Sequence, residues 1–351
     1  MKHIKLVDKV TFSFRWFVFL FLLISSNLAI NAQITTKKID TWYLYTEGKS
    51  SFQELVPFKD IIASISVFGN PPKSFIEECH QNQIEVYHAV SGDEKSIDSS
   101  AKRKIITEEY LRICDTMGYD GIDLDFEALN PQVKEMYSLF LFEISEKLHH
   151  AGKKLSQCVG FYNSLYQNDF DHLFYDVKVV SSTCDLIRVM CYDMYYAPGR
   201  FDKSLLNRVD CQGVGATSHY PFAKEAMKFW LTYVSSDKLV MGLPAYSNDY
   251  EMTNNGKGRQ IYGSVPQNVK GVLPAPTWLW FEKINIYTYS DTNDCPHLFY
   301  ASDERSTESL LHLADELKIQ KRGFWHFGSV DPKIWTVTQK WISTARMLPE
   351  L

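Results

Sequence analysis

Eight short runs of apolar, β-branched or aromatic residues recur along the chain, and segments of helical character lie between them. The runs are 40–45 (DTWYLY), 61–68 (IIASISVF), 84–90 (IEVYHAV), 120–126 (DGIDLDF), 155–161 (LSQCVGF), 186–192 (LIRVMCY), 238–244 (KLVMGLP) and 322–327 (RGFWHF). Such alternation marks repeated βα units around a parallel sheet. The clearest helix is expected from about 131 to 150. Pro131 suits its first turn, Met136, Leu139, Phe140, Ile144 and Leu148 recur at helical spacing, and Gly152 stops it. Further helices are expected over 101–117, 221–235 and 305–318, the last with Ser306 or Thr307 as its N-cap. Eight strands with intervening helices close most economically into a (β/α)8 TIM barrel, because an open doubly wound sheet leaves two edges to cover.

Residues 246–299 break the pattern with Asn, Gly, Pro and aromatics in strand-like fragments such as Trp278-Leu279-Trp280-Phe281 and Ile284-Asn285-Ile286-Tyr287. They read as an insertion after the seventh strand, placed either to wall a cleft or only to cover core. With that insertion, one barrel accounts for 33–351. The balance of 45% hydrophobic and 23% charged residues is that of an ordinary globular chain. A net charge of −5 without a long basic run argues against nucleic acid as the main partner.

The first 32 residues stand apart. Lys2, Lys5, Lys9 and Arg15 precede an apolar stretch from Trp16 to Ile24, and small or polar residues lead to Ala32 before Gln33. This is the pattern of a secretory signal peptide, with a secreted or periplasmic product and no stable membrane insertion after cleavage. An uncleaved anchor is the alternative, although the stretch is shorter than the roughly 20 residues that span a bilayer. Seven cysteines (Cys79, Cys114, Cys158, Cys184, Cys191, Cys211 and Cys295) show no zinc-ribbon spacing and are expected to be mostly reduced. A monomer is expected.

In the run Asp120-Gly121-Ile122-Asp123-Leu124-Asp125-Phe126-Glu127, strand alternation puts Asp123, Asp125 and Glu127 on one face and Ile122, Leu124 and Phe126 on the other. In a barrel the apolar set faces the helices and the acids point inward. Buried carboxylates are costly, so such a cluster is rarely kept for stability alone. Three readings remain: a solvated acidic edge, a divalent-metal site, and proton-transfer chemistry. The metal reading lacks a histidine or further acid at strand-end spacing, although acids from other strands, such as Asp193, stay available. Proton transfer needs only an acid at the C-terminal end of the strand and a neighbouring carboxylate that disfavours its ionisation. Glu127 fits that role, and no metal or cofactor is expected.

The run DGIDLDFE resembles the DGxDxDxE signature of glycoside hydrolase family 18, the chitinase family, at every defined position. Met190-Cys191-Tyr192-Asp193 resembles that family's M-x-Y-D, Gly242-Leu243-Pro244-Ala245-Tyr246 its G-[LI]-P-x-Y, and Trp325 its last-strand tryptophan. Leu298-Phe299-Tyr300 through Gly323-Phe324-Trp325-His326-Phe327-Gly328 resembles the compact branch that includes spore-cortex hydrolases and di-N-acetylchitobiase. The family's S-x-G-G is reduced here to Ser91-Gly92-Asp93.

The resemblance implies a retaining, substrate-assisted glycosidase acting on β-1,4 linkages next to N-acetylglucosamine, with chitin or chito-oligosaccharides the default substrate. The substrate's 2-acetamido carbonyl attacks C1 while Glu127 protonates the leaving oxygen, then acts as base. Asp125 orients the acetamido N–H, Asp123 shares a proton with Asp125, and Tyr192 donates its hydroxyl to the acetamido group. Asp193, Trp325, Met190, Tyr246 and Tyr43 are the sugar-contacting candidates, with Tyr45, Tyr162 and Trp280 as weaker ones. Neighbours on one strand do not readily flank a sugar ring, which disfavours an enzyme nucleophile. An endo-β-N-acetylglucosaminidase acting on the chitobiose core of N-glycans would use the same site. A non-catalytic lectin-like barrel is the alternative of another class.

Overall fold

A computed structural model of the protein describes residues 37–345, apart from 128, 161–172, 196–200, 203–213 and 253–256. The expected leader at 1–32, Cys211 and Tyr162 therefore lie outside the described residues. Eight parallel strands close into a ring: β1 (Lys38–Leu44), β2 (Ile62–Phe68), β3 (Glu85–Val90), β4 (Gly121–Leu124), β5 (Lys154–Val159), β6 (Leu186–Met190), β8 (Leu239–Pro244) and β14 (Lys321–Trp325). All eight sit within two residues of the expected bounds. The last strand pairs with the first through Lys38 and Ile39 against Lys321 and Arg322, so no edge is left open.

Helices α1 (Lys73–Gln81), α2 (Ser100–Met117), α3 (Lys134–His150), α4 (Val177–Thr183), α5 (Tyr220–Leu231), α6 (Glu304–Glu316) and α7 (Pro332–Ala345) surround the ring. Four match expectation, with α3 preceded by a 3-10 turn at Pro131–Val133. The cap of α6 is corrected: Asp303, not Ser306 or Thr307, is the N-cap, and its side chain accepts from the Ser306 backbone N–H. Helices α1, α4 and α7 escaped the pattern. The first two have nine and seven residues, roughly two turns each, too short for a helical repeat to declare itself.

The insertion folds as an antiparallel sheet of strands β9 (Ser247–Met252), β10 (Lys257–Gly263), β11 (Thr277–Leu279), β12 (Ile284–Ser290) and β13 (Pro296–Ala301), joined by β7 (Phe201–Asp202) from the segment after β6. Its order is β11-β12-β13-β9-β10-β7. Strand β9 fastens the chain that follows β6. The Asn248 side-chain amide donates to the carbonyls of Tyr195 and Gly215, each at 3.0 Å, and the Tyr250 hydroxyl donates to Gly215 at 2.9 Å. The insertion therefore does more than cover core.

Alternation along the barrel strands sorts the side chains into two cores. Ile39, Ile65, Val67, Val86, Ile122, Leu124, Leu155, Ile187, Val189, Met241 and Phe324 point outward into one continuous apolar layer beneath the helices. The inward set is different: Ser64, Ser66, Asp123, Ser156, Cys158 and Arg188 are all buried, with Trp42 and Tyr87 among them. Trp42 crosses the interior, and two glycines make room for it. A Cβ on Gly323 would lie 1.8 Å from the Asp40 carbonyl oxygen and 3.5 Å from the Trp42 ring. One on Gly242 would lie 2.6 Å from the Val189 oxygen and 3.2 Å from the same ring.

Because the first clash is with backbone, Gly323→Ala is expected to lower unfolding free energy by about 2 kcal/mol or more, as overpacked cores do. Gly263→Ala, whose new Cβ meets nothing nearer than 3.7 Å, is expected to stay within ~0.5 kcal/mol. Urea denaturation of both variants checks this.

Candidate active site

The acidic strand runs up the inside of the barrel. Asp123 lies within β4 and is fully buried, whereas Asp125 and Glu127 follow its C-terminal end. The backbone N–H of Asp125 still bonds to the Val90 carbonyl at 2.8 Å, which keeps the extended register past the end of β4. The result is a staircase of carboxyls, from buried at Asp123 to exposed at Glu127.

Each step has its own partners. Asp123 Oδ2 accepts from the Ser66 hydroxyl and, at 3.5 Å, from the Cys158 thiol, and Arg188 Nε stands 3.5 Å from it. Asp125 shares a hydrogen bond with Glu127. Burial raises the Asp125 carboxyl to about 7, helped by the like charges of Glu127 and Asp123. Although Glu127 as a whole is exposed, desolvation of its carboxyl raises it, and the nearby charge of Asp193 adds to the effect. Adjacent acids of this kind titrate together rather than one by one.

The facing wall comes from the ends of β6 and β8. Asp193 takes a left-handed backbone conformation (φ 56°), which Asp tolerates better than most residues. Its N–H bonds to the Thr217 hydroxyl at 3.1 Å, and its carboxyl accepts from the Tyr246 hydroxyl. Tyr192 is buried edge-on between Trp42 (6.1 Å between centroids) and Tyr246 (6.4 Å), within electrostatic reach of both Asp125 and Asp193. Trp325 is half-buried at the end of β14, edge-on to Trp42 at 5.9 Å and to Phe68 at 5.4 Å. Acids on one side, a hydroxyl-anchored acid on the other and indole rings at the base suit a sugar, whose ring has apolar faces and a polar rim.

Residues 18–323 match the profile of "Glycosyl hydrolases family 18". The chain belongs to that family. The match begins inside the stretch read above as a leader. Among curated proteins, the chain is 21% identical over 287 residues to the uncharacterized glycosylase YvbX of Bacillus subtilis, covering 78% of this chain and 80% of that one. It is 22% identical to the cortical fragment-lytic enzyme of the same organism, covering 68% of this chain but only 53% of that longer protein. In structure it resembles a chitinase from Chromobacterium violaceum (TM-score 0.72, 16% identity, 88% of this chain and 99% of that one). It also resembles the spore cortex-lytic enzyme SleL of Bacillus megaterium (TM-score 0.69, 15% identity, 86% and 73%). The protein is a chitinase-like glycoside hydrolase on a TIM barrel.

Six of the nine site residues proposed for this family 18 chain meet at the barrel mouth, Glu127, Asp125, Tyr192, Asp193, Trp325 and Tyr246, with Asp123 buried beneath them in β4. Met190, at the end of β6, is half-buried against the cluster of Trp42, Cys158 and Tyr192. Tyr43 does not belong. It faces outward, donates to Glu54 at 2.8 Å and stacks on Phe75 at 5.5 Å. Alternation along β1 puts Asp40 and Trp42 inside, so the inward aromatic is the neighbouring Trp42. Tyr45 likewise packs on Phe75. Trp280 is 79% exposed on the turn after β11, the edge strand of the inserted sheet farthest from β10.

Asp125 hydrogen-bonds to Glu127 and lies within electrostatic reach of Asp123. Asp123 Oδ2 accepts from Ser66 and Cys158, and its Oδ1 has no partner among the described residues. Ser66, Cys158, Arg188, Thr217 and Tyr262 had not been anticipated. Tyr262 of β10 is edge-on to Tyr246 at 5.6 Å and brings the insertion to the site.

The raised Asp125 carboxyl carries a stability signature. Between pH 3.8 and about 7 the folded chain holds a proton that the unfolded chain releases. Stability therefore falls as pH rises through that window. Asp125→Asn is expected to flatten that part of the slope. Urea denaturation at acidic and neutral pH measures it, and an unchanged slope in the variant would mean that Asp125 is not the raised group.

Proposed function

We propose that this family 18 hydrolase cleaves β-1,4 linkages next to N-acetylglucosamine in chitin-type oligosaccharides, with retention, and that the substrate's own acetamido group is the nucleophile. The observation that carries the reading is the placement of the acids. Asp123, Asp125 and Glu127 all rise from one strand, so they line one side of a bound sugar. A retaining enzyme with its own nucleophile instead sets two carboxyls about 5–5.5 Å apart on opposite sides of the bond. Asp193, on the facing wall, already accepts from Tyr246, and burial raises its pKa. Both effects make it a holder of hydroxyls rather than an attacking group.

In the resting site Glu127 and Asp125 share a proton. When the sugar binds, its acetamido N–H becomes the partner of Asp125, and Glu127 keeps the proton for the leaving oxygen. The acetamido carbonyl attacks C1, the C1–O bond breaks and the oxygen takes the proton of Glu127. Glu127 then removes a proton from the water that opens the oxazolinium ring, restoring the N-acetyl group. Tyr192 steadies the acetamido carbonyl, Asp193 holds a ring hydroxyl, and Trp325 lies under the sugar.

Glu127→Gln is expected to lower kcat by roughly 10³-fold or more while leaving oligosaccharide binding within a few-fold, as for loss of a group used only in the transition state. Unchanged turnover would remove Glu127 from the mechanism. Chitotetraose and its fully deacetylated counterpart test the nucleophile: only the acetylated sugar should be cut, whereas equal cleavage would mean a nucleophile from the protein. A glycoprotein assayed alongside tests the linkage. Release from the glycoprotein alone would move the substrate to the N-glycan core. Activity should survive EDTA.

The charged, then apolar, first 32 residues support a leader that is removed on export. N-terminal sequencing of protein recovered outside the cytoplasm is expected to begin at Gln33. An intact Met1 in that material would overturn the leader.

A further inference from the structure

Arg188 lies in the middle of β6, wholly buried inside the barrel. Its Nε donates to Ser156 at 3.1 Å and faces Asp123 Oδ2 at 3.5 Å, and Nη2 donates to Ser64 at 3.3 Å. Its guanidinium also lies against the rings of Trp42 (5.7 Å) and Tyr87 (5.5 Å). The remaining Nη1 has no hydrogen-bond partner among the described residues. On its other side Ser64 donates to Asp40 Oδ1 at 2.6 Å. A chain of polar groups thus runs down the barrel axis: Asp123, Arg188, Ser64, Asp40.

An arginine here is an expensive way to fill space. Replacing a buried ion pair by apolar residues of similar volume is often neutral or stabilising, and an orphaned N–H adds to the cost. The small residues Ser64, Ser66 and Ser156 around it leave the room that the guanidinium occupies. What the cation does is electrostatic. The charged and titratable groups that face it are Asp123 from β4, Asp40 from β1, Tyr87 from β3 and Cys158 from β5. Lys321 and Glu85 act from beyond Asp40. Burial pushes the Asp40 carboxyl up against the pull of Arg188, and its Oδ2 is without a partner among the described residues. Arg188 Nε faces Asp123 directly and reaches Asp40 only through Ser64, so its charge bears first on Asp123, the lowest step of the acid staircase.

We propose that Arg188 is a positioning residue for hydrolysis, the cation that holds Asp123 in place and balances its charge beneath the Asp125–Glu127 pair. Without it a buried, unpaired carboxylate would lie under the two groups that must pass one proton between them. That carboxyl would then compete for the proton. The proposal rests on the glycosidase reading for its kinetic consequence, but not for its electrostatic one.

The test uses Arg188→Met and Arg188→Lys in the full chain. In Arg188→Met, kcat on chitotetraose is expected to fall ~100-fold with KM within ~3-fold, because the loss is felt in proton transfer rather than binding. The acid limb of kcat should move up by about one pH unit, since a buried carboxyl left without its cation takes up a proton more readily. Arg188→Lys keeps the charge and should retain the wild-type acid limb and most of kcat. Difference infrared spectroscopy gives a readout independent of turnover. Near pH 6, Arg188→Met should show a protonated-carboxyl band additional to that of the Asp125–Glu127 pair, one that Asp123→Asn abolishes and that the wild type and Arg188→Lys lack.

A folded Arg188→Met with wild-type kcat, pH profile and carboxyl spectrum overturns the proposal. If Arg188→Met fails to fold, Arg188→Lys decides: a loss of kcat with a displaced acid limb would show that the charge is not what matters. A wild-type protein silent on every acetylated glycan counts against the glycosidase reading, and the infrared comparison still decides the role of Arg188.

Discussion

Closing eight strands into a ring leaves no edge to cover, but it sends every second side chain into an interior that has to be filled. In this protein the two faces of the strands divide the work. Outward positions are aliphatic and aromatic, and they merge into one core under the helices. Inward positions carry serines, a cysteine, an arginine and acids, crossed by Trp42. Stability is thereby concentrated in the outer layer. The inner one is free to hold polar groups that would be a poor investment anywhere else in the fold.

Along the axis those polar groups form a gradient. Near the N-terminal ends of the strands Asp40, raised toward neutrality by burial, borders a cavity of about 410 Å³. Above it sits Arg188, then Asp123, then the raised pair Asp125 and Glu127 where the barrel opens. Each group is set by its neighbours, so Asp125 cannot be described without Glu127 above it and Asp123 below. The facing wall is built by a different means. Its acid, Asp193, is placed by an unusual backbone conformation and by hydrogen bonds from Thr217 and Tyr246. The chain bearing it is tied down by Asn248 and Tyr250 of the inserted sheet. The insertion thus helps to shape the site although none of the three acids of the staircase belongs to it.

Much of this could be read from residue order. Eight runs at the right spacing announced the barrel, and period-two alternation put three acids on one face of β4. Where the reading went wrong, the error was usually one of parity or length. Choosing Tyr43 over Trp42 missed by one residue, enough to turn an inward ring into an outward one. Helices α1 and α4 are too short to show a period. Ser66, Cys158 and Thr217 have no local signature, because a serine, cysteine or threonine gains its role only from the strand that lies beside it. Arg188 did carry a signal: a charged residue in the middle of an apolar strand.

By itself the sequence determined the barrel, the family and the side of the β4 strand on which its acids stand, because these depend on periodicity and short-range order. Only the tertiary structure decided what surrounds those acids. Asp123 is met by Ser66, Cys158 and Arg188, which come from three other strands. Electrostatic environment is a property of what the fold brings together. Ser66 and Arg188, 57 and 65 positions away from Asp123 in the chain, lie against its carboxyl.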